Sequence, residues 1–194
     1  MSDFTIHMLG DPLPCGCYLL IIRLSAAKKV IFGRFNQGDA VSLPEGTYLY
    51  VGSARGGQGS SSLSARLMRH ATRCDPAHPQ AIRESLLTNL LDAGLPAKVP
   101  AKKTCRWHID YLLELPEAEI SGVIAIRTRE DLEQQLARRL TALSETSLPA
   151  RGLGASDHPG STHLFQLQDT TGWQEKVCKL CEVLLNPGDG MAKI

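Results

Sequence analysis

The sequence of 194 residues has no stretch that approaches the ~20 consecutive apolar residues an α-helix needs to cross a bilayer. Its first residues also lack a basic segment followed by an apolar core, so we expect neither a membrane span nor a secretory signal. Without an export signal, the six cysteines indicate reduced thiols rather than a disulfide framework. The sequence therefore predicts a cytoplasmic protein with no membrane partner.

Acidic residues are missing from two stretches, residues 46–74 and residues 93–109, although the formal net charge is only +1. Both stretches carry cationic side chains: Arg55, Arg66, Arg69 and Arg73 in the first, and Lys98, Lys102, Lys103 and Arg106 in the second. Such segregation produces a local positive field that a polyanion would feel. The alternative interpretation is chance clustering on a solvated face.

The composition, with 43% hydrophobic and 21% charged residues, is sufficient for a packed core. We expect a single domain over residues 14–185, preceded by a lead-in at residues 1–13 and followed by a flexible tail at residues 186–194. The length suits one domain rather than two.

Alternating and branched apolar residues predict strands at residues 16–24, 29–35 and 47–52, joined by turns into an antiparallel sheet. A period of two places Thr47, Leu49 and Val51 on one face of the third strand, and Tyr48 and Tyr50 on the other. Further strands are predicted at residues 122–126 and 163–167. Helices are predicted from Leu63, capped by the serines before it, and at residues 80–93, 129–143 and 173–185, with a short helix favoured at residues 107–113. The fold class is α+β.

Two glycine–tyrosine strands precede an arginine-bearing helix. Gly16-Cys17-Tyr18 and Tyr50-Val51-Gly52 lie on the first and third strands, and Arg66 is followed one helical turn later by His70. This order resembles the GIY-YIG nuclease superfamily, and implies its small antiparallel or mixed sheet flanked by helices.

The sequence is more similar still to a poorly characterised branch of that superfamily, which is found alone or fused to endonuclease III-like proteins. Four segments carry this resemblance: residues 46–54, 66–70, 107–111 and 152–157. It covers residues 14–168. The chain departs from the usual pattern in its long link from Tyr18 to Tyr50, which predicts an extra strand, and in Ser53, where many members have lysine.

The resemblance implies catalytic roles for four residues. Tyr18 would be the general base or orient it, with a pKa lowered by Arg66 and a metal ion. Tyr50 would hydrogen-bond the water or the phosphate, Arg66 would clamp the phosphate, and His70 would shuttle a proton or bind the backbone. The alternative is that the tyrosines pack a half-buried sheet and that Arg66 and His70 are ordinary helix-surface residues.

The superfamily's metal ligand is a glutamate on a later helix, which implies Glu133, with Glu130 as the alternative, and Mg²⁺ or Mn²⁺ as the cofactor. The basic region and the glycine–tyrosine strand supply expected nucleic-acid-binding residues: Gly52, Ser53, Arg55, Arg69, Arg73, Lys102 and Lys103. Supporting roles next to the site are expected for His108, Asp110, Ser156 and Asp157. On a strand His108 and Asp110 would point the same way, whereas on a helix they would not.

A zinc site is a further possibility, because His158, His163, Cys178 and Cys181 include two imidazoles and two thiols. Cys178 and Cys181 lie in a predicted helix beside its apolar stripe, where cysteines usually pack as small hydrophobic residues. We therefore disfavour structural zinc, and we interpret Cys15 and Cys17 as packing residues as well.

Together these features predict a metal-dependent endonuclease acting on DNA, or on RNA, that recognises backbone and shape because no base-reading element is evident. A non-catalytic nucleic-acid-binding module with a degenerate site is the alternative. A protein-interaction domain whose basic patches meet an acidic partner is the third hypothesis.

Overall fold

The computed structural model describes residues 4–75, 78–155, 160–168 and 171–186, and its fold is α+β. Within these residues a mixed six-stranded sheet is flanked by helices on both faces, and no helix is both long and apolar enough to cross a bilayer. The strands are β1 (Thr5–Gly10), β2 (Gly16–Leu24), β3 (Lys28–Val30), β4 (Val41–Leu43), β5 (Gly46–Ala54), β6 (Ala118–Arg127), β7 (Thr146–Ser147) and β8 (Leu164–Leu167). The α-helices are α1 (Leu63–His70), α2 (Arg83–Asp92), α3 (His108–Leu113), α4 (Glu133–Thr141) and α5 (Trp173–Leu185). The tail predicted at the C-terminus lies, from residue 187 onward, outside the described residues.

The main sheet has the strand order β1-β6-β2-β5-β8-β7. β1 runs parallel to β6, while the other pairs are antiparallel. The prediction that residues 1–13 only lead into the domain is therefore wrong, because Thr5 to Gly10 pair along the whole of an edge of the sheet. Pairing with a strand so distant along the chain is invisible to local sequence pattern.

The second predicted strand, residues 29–35, is also corrected by the structure. Only Lys28–Val30 is extended, and it pairs with Val41–Leu43 in a separate two-stranded sheet. The main sheet instead joins β2 directly to β5. The extra strand expected in the long link between Tyr18 and Tyr50 is present as this separate hairpin.

Helix α1 begins where the sequence predicts, because the Ser62 hydroxyl accepts a hydrogen bond from the Ala65 N–H and caps its first turn. The favoured short helix at residues 107–113 and the closing helix at residues 173–185 are confirmed. Helix α4 begins at Glu133, four residues later than predicted.

Each face of the sheet has its own core. Tyr18, Tyr48 and Tyr50 pack with α1, α2 and α3 on one face. Leu49 and Val51 pack with α4 and α5 on the other, so the predicted alternation along β5 is confirmed. Tyr18 and Tyr50 consequently lie under α1 and α3, the helices that carry Arg66, His70 and Asp110.

Candidate active site

Tyr18 and Tyr50 are brought together by the antiparallel pairing of β2 and β5, in which Tyr18 faces Gly52 and Leu20 faces Tyr50. The centroids of the two tyrosine rings are 6.5 Å apart. The Tyr18 ring lies across Gly52, where an added Cβ would be 2.4 Å from the Tyr18 hydroxyl oxygen. Gly52 is therefore needed to make space for Tyr18.

A buried hydrogen bond joins Tyr18 to α1: the Tyr18 hydroxyl oxygen lies 2.8 Å from Nε2 of His70. Burial lowers the pKa of His70 to about 3, with Asp110 acting in the opposite direction, so the imidazole is neutral at physiological pH. Nδ1 of His70 lies 3.9 Å from Oδ1 of Asp110. This carboxylate favours the tautomer protonated at Nδ1, which leaves Nε2 to accept the Tyr18 proton.

The Tyr18 phenol is itself fully buried, and its pKa is raised well above the ordinary value. Burial is the main cause of the raised pKa, and Tyr50 raises it further. Arg66 acts to lower the pKa, but its effect is smaller than that of burial. The prediction of a lowered Tyr18 pKa is therefore wrong for the protein chain by itself. Tyr18 is a neutral donor, not a preformed phenolate.

Asp110 anchors this network from α3, with a side chain that is 0% exposed. Burial acts to raise its pKa, yet the pKa is lowered because the backbone N–H groups of Trp107 and Arg106 donate to the carboxylate. The Arg69 guanidinium donates to the same carboxylate at 2.7 Å, and Nζ of Lys103 lies 3.7 Å from it. Asp110 is thus an ionised group surrounded by donors.

A cavity of about 420 Å³ opens beside these residues. The Arg66 guanidinium lies over the Trp107 ring, 4.0 Å from its centroid, and both side chains line the cavity. Further polar side chains in the lining are those of Tyr18, Tyr50, Ser53, Arg55, Asp131, Glu133 and His163.

Glu133, the first residue of α4, contributes a carboxylate to this cavity. Ser53 donates to its Oε2 at 2.5 Å, and Nδ1 of His163 lies 3.4 Å from its Oε1. Glu130 is exposed and lines a small neighbouring cleft instead. A carboxylate, a hydroxyl and an imidazole around open space form a donor set that fits Mg²⁺ or Mn²⁺ with water completing the shell.

Residues 17–186 match the family described as "Domain of unknown function DUF123". The chain belongs to this family. Neither a curated protein nor a solved structure matches the chain. The DUF123 domain, from β2 to the end of α5, contains every residue that lines the cavity.

Several residues expected to contact nucleic acid have internal roles in the DUF123 domain. Arg73 is 7% exposed and donates to the carbonyl oxygens of Leu113, Leu115 and Ala118 and to the Glu119 carboxylate. Lys103 is 4% exposed, between Asp110 and Glu114. These two predictions are wrong because each cation compensates buried oxygen atoms.

Gly52 and Arg69 are also corrected. Gly52 is buried beneath Tyr18, and the Arg69 guanidinium donates to the Thr104 carbonyl as well as to Asp110. Arg55 and Lys102 remain exposed, so their expected contact with nucleic acid stays a prediction. Arg55 forms an ion pair with Asp131 at the edge of the cavity.

His108 and Asp110 point to different partners, as expected for residues on a helix. Nδ1 of His108 accepts a hydrogen bond of 3.1 Å from the Gly154 N–H, and its ring packs edge-on against Phe35. His108 thereby supports the loop that carries Gly154, which lines the cavity. Ser156 and Asp157, the other expected supporting residues, lie outside the described residues.

The sequence indicated His163 only as a possible zinc ligand, and Trp107 only as part of a short helix. In the structure both line the cavity, His163 against Glu133 and Trp107 against Arg66. The signal for His163 is its position just before β8, whose neighbour is the strand of Tyr50. Nothing in the sequence indicates that Trp107 lines the cavity, since its exposure depends on how α3 packs.

The four residues considered for zinc are dispersed as far as the structure describes them. His163 faces the cavity, while Cys181 is buried in the core on the other face of the sheet, as is Cys17. His158 lies outside the described residues. Among the described residues, one group of potential metal ligands does lie close together. It consists of Cys74, Cys105 and Glu114, whose ligand atoms all lie within 4.8 Å of one another.

Proposed function

We propose that this domain is a metal-dependent endonuclease of the GIY-YIG type, which hydrolyses DNA phosphodiester bonds by recognising backbone and shape. The observation that carries the proposal is that Tyr18, hydrogen-bonded to the buried His70, lines a cavity that Arg66 and Glu133 also line. Phosphodiester hydrolysis requires an activated water, charge neutralisation on the phosphoryl oxygens and help for the leaving oxygen.

Arg66 is suited to bind the scissile phosphate. Its planar guanidinium can donate two parallel hydrogen bonds to phosphate oxygens, and the Trp107 ring supports it from one side. Because the Trp107 ring limits its rotamers, less side-chain entropy is lost when the phosphate binds.

Glu133 would hold the divalent ion, with Ser53 and His163 beside it. A bound Mg²⁺ or Mn²⁺ supplies charge neutralisation at the phosphoryl group and lowers the pKa of a bound water. Ser53 orients the Glu133 carboxylate through the hydrogen bond it donates. The His163 imidazole favours Mn²⁺ over Mg²⁺, since nitrogen ligands suit transition metals better.

Tyr18, His70 and Asp110 form a path for a proton. The Tyr18 O–H donates to the neutral His70 ring, and Asp110 lies where it stabilises the imidazolium formed when the proton moves. Arg66 contributes to the lowering of the His70 pKa. Arg66 lowers the pKa of Tyr18 as well, so a bound phosphate that offsets the Arg66 charge raises both pKa values and leaves Asp110 as the group that stabilises the imidazolium.

The test is cleavage of labelled single-stranded, duplex, flap and branched DNA, and of matched RNA, with Mg²⁺ or Mn²⁺. We expect metal-dependent cleavage that falls on the order of 10²–10³-fold in Tyr18→Phe, Arg66→Ala and Glu133→Gln. Arg139→Ala, which removes an exposed arginine from α4, is the matched control and should retain activity. Cleavage that persists unchanged in the three site variants would exclude this site as its source.

Burial of the Tyr18 phenol favours the alternative, a nucleic-acid-binding module with a degenerate site. In that case the wild type binds the same DNAs with a salt-dependent affinity, weakened by Arg66→Ala, and cuts none of them. A protein that neither binds nor cuts at low salt is not a nucleic-acid-binding protein. We place the activity in the cytoplasm, a location supported by the free thiols of all six cysteines.

A further inference from the structure

A second group of potential ligands lies outside the cavity, where the end of α1 meets α3. Cys74 follows α1 by four residues, Cys105 precedes α3, and Glu114 is the residue just after α3. Their two sulfur atoms and a carboxylate oxygen all lie within 4.8 Å of one another. Three residues from separate positions in the chain therefore lie close together at a place outside the cavity.

The separation of these atoms is close to that of a tetrahedral zinc site. Zn–S bonds of about 2.3 Å and Zn–O bonds of about 2.1 Å place ligand atoms about 3.6–3.8 Å apart. An inward movement of about 1 Å therefore brings the three groups to bonding distance. Cys74 is exposed and Cys105 and Glu114 are half-buried, so an ion can enter from solvent and a water can complete its shell.

The three groups are already oriented by hydrogen bonds and charge. The Cys74 backbone N–H donates to Oε2 of Glu114 at 2.8 Å, and Nζ of Lys103 lies 2.9 Å from Oε1. Two thiolates and one carboxylate around Zn²⁺ carry a net charge of −1. The fully buried Lys103 ammonium balances that charge, so the complex as a whole is neutral.

The thiols are held protonated when no ion is bound. Burial, together with Cys74, raises the pKa of Cys105 to about 11, and burial and Glu114 raise the pKa of Cys74. Neither is therefore a preformed thiolate that reacts readily with oxidants. An ion that binds must displace both thiol protons to solvent, which Zn²⁺ does as a strong thiolate binder.

We propose that Cys74, Cys105 and Glu114 form a zinc site that joins the end of α1 to α3. Helix α1 carries Arg66 and His70, and α3 carries Asp110, so the ion fixes the two helices that border the cavity. The proposal does not depend on the nuclease function, because no ligand of this site lines the cavity.

The test is titration of the full-length, reduced protein with Co²⁺ and then with Zn²⁺ against a chromophoric chelator. We expect a thiolate-to-metal charge-transfer band that saturates at one equivalent of Co²⁺ and is displaced by Zn²⁺, and a rise in Tm on Zn²⁺ addition. Cys74→Ser and Cys105→Ser should each weaken Zn²⁺ binding by more than about 100-fold and abolish the rise in Tm. Glu114→Gln should weaken binding and retain the charge-transfer band.

Two controls separate this site from others in the chain. Cys178→Ser removes a half-buried thiol on the opposite face of the sheet, and Glu133→Gln removes the carboxylate of the cavity. Both should keep the charge-transfer band. The proposal is overturned if the reduced wild type shows no stoichiometric thiolate band, or if the band survives in both Cys74→Ser and Cys105→Ser. A Cys74–Cys105 disulfide formed on mild oxidation, in a protein without zinc affinity, would overturn it as well.

Discussion

The buried, neutral His70 makes the stability of this protein depend on pH in a way that one substitution isolates. Its pKa in the folded protein is about 3, against an ordinary value of 6.5, mainly because burial disfavours the imidazolium. Below the ordinary pKa the unfolded chain therefore binds a proton that the folded chain does not. The stabilisation from neutral His70 is complete above that value and is lost as pH falls toward about 3.

The size of the effect follows from the two pKa values. Between the two pKa values, each unit by which the pH falls lowers the free energy of unfolding by about 1.4 kcal/mol. Lowering the pH from about 7 to about 4.5 therefore lowers the free energy of unfolding by about 2.5 kcal/mol. Asp110, whose carboxylate has a lowered pKa, protonates mainly below this interval. His108, whose pKa is also lowered by burial, loses stability in the same interval, so the His70 contribution is the difference between the losses of the wild type and the His70→Gln variant.

The assay is urea denaturation followed by circular dichroism at about pH 7 and about pH 4.5, for wild type, His70→Gln and His78→Gln. A glutamine side chain has no group that titrates in this range, so the His70→Gln variant should lack about 2.5 kcal/mol of the loss seen in wild type. His78, with a side chain 78% exposed, is the matched control for removing a histidine. The His78→Gln variant should lose as much stability between these two pH values as the wild type does.

If the wild type and the His70→Gln variant lose the same stability over this interval, His70 is not a source of the pH dependence. A direct measurement is available if the variant fails to fold. NMR titration of the His70 ring protons in the wild type should show no protonation down to about pH 4. A ring that titrates near its ordinary pKa would mean that His70 is not enclosed as the structure has it.

Three further predictions concern residues whose roles only the structure reveals. Gly52→Ala places a Cβ 2.4 Å from the Tyr18 hydroxyl oxygen and should lower the unfolding free energy by about 1–3 kcal/mol in urea denaturation; an unchanged midpoint would mean that Tyr18 moves aside freely. Asp110→Ala leaves Lys103 without one of its buried partners and should cost about 3–5 kcal/mol by thermal unfolding, whereas a loss under about 1 kcal/mol would contradict the buried network. Arg73→Lys loses the fork that serves several carbonyl oxygens at once and should destabilise the protein by about 2 kcal/mol without changing DNA affinity; weaker DNA binding at unchanged stability would restore the role predicted from sequence.

Much of the fold is readable from local pattern, because its determinants are close together in the chain. Ser62 caps the helix that follows it, and the alternation along β5 separates Tyr48 and Tyr50 from Leu49 and Val51. That Tyr18 and Tyr50 share one face follows instead from the register in which β2 pairs with β5, which the structure supplies. The choice of Glu133 over Glu130 came from the resemblance, and the structure gives Glu133 the position in the cavity.

The residues whose surroundings depend on packing could not be predicted in the same way. Because Arg73 lies in a stretch without acidic residues, its sequence context predicts a cation on the surface. The local sequence does not indicate that the carbonyl oxygens of Leu113 and Ala118 accept hydrogen bonds from it. The direction of the Tyr18 pKa shift has the same origin. A nearby cation lowers a phenol's pKa, but full burial outweighs it, and burial is a property of the assembled core.

The α+β class and the five helices follow from the sequence by itself, since periodicity and capping are local properties. The set Tyr18, Tyr50, Arg66, His70 and Glu133 came from the family resemblance, and its catalytic role stays a prediction. The direct pairing of the two tyrosine strands was not predicted, because residues 29–35 were expected to form a strand between them. Only the tertiary structure decided that β1 joins the sheet and that His163 meets Glu133. It also decided that Asp110 lies behind His70 and that Cys74 approaches Cys105. Each of these contacts joins residues that are far apart in the chain, and their proximity depends on how the helices pack against the sheet.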